Sequence, residues 1–67
     1  MFIELPKVNS SSKYFINVNK IQMVCKAYLN GVGEVDDQTN ICFGDEDFII
    51  VGMPYGDVID IINNVVE

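Results

Sequence analysis

Residues 54–67, PYGDVIDIINNVVE, decide the fold class. Val58, Ile61, Ile62 and Val65 fall at i, i+3, i+4 and i+7, one stripe of a helix of 3.6-residue period. Asp57, Asp60, Asn64 and Glu67 fall on the opposite side. Pro54 suits the first helical position, where its missing N–H costs nothing. The stretch predicts an amphipathic helix of about three turns. β-branched residues crowd its interior and Gly56 sits in its first turn, so its intrinsic propensity is poor. Such a helix forms because it packs across something else. Asp57 complements the helix dipole and Glu67 opposes it.

Everything before this helix has a different period. Breaks fall at Pro6, at Asn9 to Ser12, at Asn30 to Gly33, at Gly44 to Asp47 and at Gly52 to Pro54. These are turn chemistries. The segments between them are short and rich in Ile, Val, Phe and Tyr, which reads as strands. They are expected at about 2–5, 13–17, 21–29, 39–43 and 48–51, with a hairpin loop over about 30–38. The spacing suits a meander, each strand beside its predecessor. The fold class is therefore α+β: a twisted antiparallel sheet of about five strands, open or curled into a barrel, capped by one C-terminal helix.

In the third strand Ile21, Met23, Cys25 and Ala27 share a face; in the fourth, Thr39, Ile41 and Phe43 do. Joining those faces sets Cys25 opposite Ile41 and Met23 opposite Phe43. A one-residue slip would set Cys25 opposite Cys42 instead. The first register is the expectation, with Cys25 in the core and Cys42 unbonded on the opposite face. The expected core is Ile3, Leu5, Ile16, Ile21, Met23, Cys25, Ile41, Phe43, Ile50, Val58, Ile61, Ile62 and Val65.

With 67 residues the chain is expected to form a single domain, residues 1–67, with a small core and marginal stability. Its mean hydropathy of +0.23 argues against disorder. Its longest wholly apolar run, Phe48 to Val51, is far short of a bilayer span, and Glu4 before a proline is not a signal-peptide pattern. Two cysteines make no secreted disulfide framework, so a reducing, cytoplasmic setting is expected.

The chain has no histidine, arginine or tryptophan. That inventory disfavours acid–base dyads, zinc sites and nucleophilic catalysis by Ser10, Ser11 or Ser12. No enzymatic activity, cofactor or metal is expected. Gly31-Val32-Gly33 has neither the longer glycine pattern nor the helix of a phosphate cradle. Tyr14, Tyr28 and Tyr55 are expected half-buried.

Net charge is −6, unevenly spread. Lys7, Lys13, Lys20 and Lys26 face only Glu4 in the first 26 residues, giving +3. The remaining nine acids meet no base, giving −9. Phosphate is repelled, so direct nucleic-acid binding is not expected. Candidate binding residues are Glu34, Asp36, Asp37, Asp45, Glu46 and Asp47. Eight residues separate Asp37 from Asp45, roughly 26 Å if extended, so the two clusters do not share one ion. They mark two ends of one acidic surface. A five-strand meander with one helix leaves at least one strand edge, the first or the last, unpaired unless the sheet curls into a barrel, a second route to a partner or a second copy.

The order of these signals resembles the FlbD-type family of small flagellar-operon proteins related to SwrD, with similar phage-encoded relatives. The matching residues are Ile3 and Leu5, Asn9 in the turn, Tyr14-Phe15-Ile16-Asn17 with Ile21, Thr39 with Ile41, and Phe48 with Ile50-Val51. Val58, Ile59 and Ile62 fit the helix stripe. The chain differs in having Asn9-Ser10 for the usual Asn-Gly, a longer central loop, and acids for bases around the later strands. The resemblance implies a non-enzymatic accessory protein with no catalytic residues to carry over.

Two functional expectations follow. The first is a cytoplasmic protein-interaction module that binds a basic partner protein through the acidic face or a strand edge, without inserting in a membrane. The second is an acidic inhibitor from a phage or mobile element, whose carboxylates stand in for phosphates in a host nuclease or defence complex.

Overall fold

The structure, a computed structural model, describes residues 1–66. Five antiparallel strands form two sheets, followed by one C-terminal helix. β1 (Phe2–Pro6) pairs with β2 (Lys13–Asn17). β3 (Met23–Leu29), β4 (Gly33–Cys42) and β5 (Phe48–Val51) form the second sheet in that order. The helix, α1, spans Tyr55–Val66. The strands do not close into a barrel.

The β1–β2 hairpin turns where Asn9 takes φ 54°, a left-handed conformation that asparagine tolerates better than most residues. Ile3 opposes Ile16 in its register, and Leu5 opposes Tyr14. Alternation then sends Ile3, Leu5 and Ile16 inward and leaves Phe2, Glu4 and Phe15 exposed. Outside, the Phe2 and Phe15 rings stack at 4.8 Å.

The α+β class, five antiparallel strands followed by one helix, is as expected; only the step from β2 to β3 departs from pairing each strand with its predecessor. A 3₁₀ turn over Val18–Lys20, capped by the Asn17 side chain accepting from the Asn19 amide, carries the chain away. β3 therefore does not pair with β2. The two sheets instead meet at the far ends of β1 and β5. Lys7 and Val51 form a single antiparallel bridge, and the Gly52 amide donates to the Pro6 carbonyl at 2.9 Å. β1 and β5, one of which is expected as the free edge, are stitched together there. The outer edges are β2 and β3.

The β3–β4 register also differs from expectation. Val24 opposes Ile41, Met23 opposes Cys42 and Cys25 opposes Asn40. β4 shows the expected inward face, with Thr39 and Ile41 fully buried and Phe43 against the core. β3 is mixed: Val24 packs inward while Met23 and Cys25 lie on the outward side, but of the expected face Ala27, beyond the bulge, is buried and Ile21, just before the strand, packs on the core. Neither the Cys25–Ile41 pairing nor the Cys25–Cys42 slip occurs. The cause is that β3 carries apolar residues on both sides, so its own pattern does not select a register. On β5, Ile49 and Val51 face the core and Ile50 does not.

Much of the expected loop 30–38 is strand. β4 begins at Gly33, and the turn is only Asn30 to Val32, with Gly31 at φ 84° and Gly33 at φ 96°. Irregularity is confined to a bulge. Lys26 pairs with Thr39 but Ala27 pairs with Val35, so Asp36, Asp37 and Gln38 have no partners on β3.

The core consists of Ile3, Leu5, Ile16, Ile41, Val51 and Val58, with Ile21, Val24, Phe43, Ile49, Ile61, Ile62 and Val65 packed against it. Of the expected core residues, Met23 is exposed, and Cys25 and Ile50 are only half-buried, outside this cluster. α1 lies against β1, β3 and β4 with Val58 fully buried. Asp57, Asp60 and Asn64 are exposed, as the periodicity predicts. Glu67 lies outside the described residues. The Val58 amide donates to the Pro54 carbonyl, so Pro54 caps the helix and Tyr55 takes its first position. The buried Thr39 hydroxyl donates to the Met53 carbonyl at 2.7 Å, tying β4 to the helix entry.

Leu5 is fully enclosed, so Leu5→Ala should destabilise by about 2–5 kcal/mol in urea titrations, close to the whole stability of a domain this small. Asp60→Ala on the exposed stripe should change it by about 0.5 kcal/mol or less. Equal losses would mean that the helix face and core are misassigned. A Cβ on Gly52 would sit 3.3 Å from the Lys7 carbonyl oxygen. Gly52→Val should therefore cost about 1–3 kcal/mol, although Gly52 itself is exposed. An unchanged urea midpoint would show that the seam between the sheets yields freely.

Candidate interaction surface

All six candidate carboxylates are exposed. Glu34, Asp36 and Asp37 lie on β4, the two aspartates within the bulge. Asp45, Glu46 and Asp47 form the β4–β5 turn, which is closed by the Phe43 amide donating to the Asp47 carbonyl at 2.7 Å. The structure keeps the two groups at opposite ends of the β4 segment that pairs with β5. No three His, Cys, Asp or Glu side chains gather to hold a metal ion among the described residues.

One ion pair involves these acids among the described residues: Lys26 Nζ lies 3.7 Å from Asp36 Oδ1. The Asp36 side chain is 95% exposed, so water screens the pair and it adds little stability. The other five carboxylates keep their charge open to solution. Lys7 is drawn elsewhere, 5.0 Å from the centre of the Tyr14 ring.

Between the two acidic groups lies a surface that the charge pattern does not reveal. The outward side of the β3–β4–β5 sheet carries two rows, Met23–Cys42–Phe48 and Cys25–Asn40–Ile50. None of the six belongs to the core cluster. Met23 is 53% exposed and Phe48 55%. An open depression of about 410 Å³ adjoins the first row, lined by Gln22, Met23, Cys42, Gly44 and Asp45. A sequence signal for this face exists: Met23-Val24-Cys25 and Phe48-Ile49-Ile50-Val51 are continuous apolar runs, so their strands are apolar on both sides. Of the tyrosines, Tyr14 and Tyr55 are half-buried as expected and Tyr28 is exposed.

Cys25 and Cys42 are free thiols, both half-buried. They share the outward face as diagonal neighbours on adjacent strands, which corrects the expected placement of one inside and one outside.

No helix among the described residues is long and apolar enough to cross a membrane. No family model matches the chain, and no curated protein or solved structure matches it significantly.

The outward placement of both cysteines gives a direct check. A thiol-specific reagent should modify two thiols per native chain without denaturant. One fast and one fully protected thiol would restore the buried Cys25 of the rejected register.

Proposed function

We propose that the chain is a non-enzymatic interaction module of the cytoplasm, which binds a basic partner protein through the carboxylates along β4 and the β4–β5 turn. The observation that carries this reading is the exposure of Glu34, Asp36, Asp37, Asp45, Glu46 and Asp47, with a single screened ion pair among them. Clustered carboxylates open to solvent attract a cationic surface over about a Debye length and speed encounter. Two free thiols and the absence of histidine agree with a reducing setting and a role without catalysis. The resemblance of its sequence layout to FlbD-type accessory proteins points the same way.

Of the two routes to a partner, the acidic face is favoured over a strand edge. The outer edges, β2 and β3, carry Lys13 and Lys26, the kind of residue that deters strand addition. A second reading is mimicry of nucleic acid by a product of a phage or mobile element. The spread of the acids along β4, rather than around one point, favours it. In that case the partner's lysine- and arginine-rich channel meets carboxylates in place of phosphates.

The test compares the wild-type chain with the Asp45→Lys/Glu46→Lys/Asp47→Lys variant as baits in host lysate, followed by association kinetics with each purified partner. The variant should associate more slowly, and the difference should vanish near ~1 M salt, where the Debye length is ~3 Å. The folded state should be unchanged by circular dichroism, because exposed turn charges contribute little. If the variant binds normally while a proline on the outer edge of β3 abolishes binding, the acidic-face reading is overturned in favour of strand addition. Mimicry adds one expectation: bound chain and nucleic acid should compete for the partner.

A further inference from the structure

A three-stranded antiparallel sheet with one face on a core normally turns polar residues to water on the other. Here five of the six outward residues, Met23, Cys25, Cys42, Phe48 and Ile50, are apolar, and Asn40 alone is not. In a chain of 67 residues, these are side chains withheld from a core that needs them. Acid stands at both ends of the face, with Asp45, Glu46 and Asp47 in the turn and Asp36 and Asp37 in the bulge. Counting Lys26, these flanking groups sum to −4.

We infer that this face docks a single amphipathic helix of another protein, apolar along its middle and bearing lysine or arginine at its ends. The inference rests on the proposed interaction function and names its contact surface and the chemistry of its partner.

Dimensions favour one helix. Three strands at ~4.8 Å spacing place the outer axes about 10 Å apart, close to the 10–12 Å diameter of a helix with its side chains. Five residue steps separate Asp37 from Cys42, roughly 17 Å of strand. That length corresponds to about eleven helical residues, or three turns. A helix of that length covers the apolar rows, and long lysine or arginine side chains projecting from its two ends extend toward the turn and the bulge. The depression beside Asp45 accepts the aliphatic stem of a lysine or arginine, whose charged head then reaches the carboxylate.

Charge disfavours the competing occupants. A second copy would set the same acidic rim against itself, between two chains of −6 each. Nucleic acid is repelled by the same groups. A basic-ended helix relieves the repulsion among the carboxylates while covering the apolar rows.

The chain has no tryptophan, so fluorescence of a peptide tryptophan reports the peptide alone. The probe is a 15-residue helical peptide with a leucine stripe, one central tryptophan and three lysines at each end. Its controls are a scrambled peptide of the same composition and a version with glutamine ends. The stripe peptide should bind at least tenfold more tightly than either control. Met23→Ser/Phe48→Ser should weaken it at least tenfold, and so should the triple reversal of Asp45, Glu46 and Asp47, each with an unchanged circular dichroism spectrum. Equal binding of the scrambled peptide overturns the inference but leaves the acidic-face reading standing, since charge alone then suffices. Loss of binding in the serine variant with none in the triple reversal overturns the charged-end requirement. A dimer in sedimentation equilibrium that Met23→Ser/Phe48→Ser dissolves overturns the inference as well, because a second copy then covers the face.

Discussion

One row of residues holds the two sheets together. It runs from Lys26 on β3 through Thr39 on β4 and Val51 on β5 to Lys7 at the end of β1. Beside it, the Gly52 amide donates to Pro6 and the Thr39 hydroxyl to Met53. Thr39 and Val51, at its centre, are fully enclosed. Away from this seam β1 and β5 do not pair, so the row fixes how the hairpin meets the larger sheet. It also sets where α1 begins, since Met53 precedes the capping Pro54. A buried hydroxyl and a glycine that permits close backbone approach do here what a full strand pairing does in a closed barrel.

Several parts of this arrangement are legible in the amino-acid order. The helix stripe Val58, Ile61, Ile62, Val65 and the alternation Ile3, Leu5 each have a single period, and a single period has one solution. The first residues of β4, Gly33 to Gln38, read as loop, whereas the inward face of its last part was readable for the same reason, through Thr39, Ile41 and Phe43. β3 was not, because Met23, Val24 and Cys25 are all apolar and either face makes a plausible inside. The seam was illegible for another reason. It depends on contacts between Lys7 and Val51, which are far apart in the chain, and only the exposed Gly52 hints at them. The exposure of the candidate carboxylates agrees with their sequence pattern; the apolar floor between them is signalled by the runs Met23 to Cys25 and Phe48 to Val51, but which of those residues form it is set by the register.

The unreadable strand and the proposed docking face are the same place, and one cause links them. A sequence that encodes only a fold alternates cleanly; one that also carries a contact surface spends apolar residues where folding does not use them. Here the expense is large relative to the core, whose fully enclosed apolar side chains larger than alanine are Leu5, Ile41, Val51 and Val58. Acid at both ends places like charge around such a surface. In the proposed docking, the same charge would deter a second copy and attract a cation.

The bulge in β4 divides the β3–β4 ribbon into two mechanically different parts. On the Thr39 side, three strands lie abreast with the core beneath them. On the Val35 side, Ala27 to Leu29 and Gly33 to Val35 pair only with each other, and their tip exposes Val32. β5 does not extend that far. The tip is therefore a short lever whose length can change without disturbing the interior. Extra residues inserted between Asn30 and Gly33 would load only a two-stranded arm, separated from the three-stranded part by the bulge. That makes the arm the natural place to splice in a tag, an epitope or a second domain while leaving the seam, the helix and the outward rows intact.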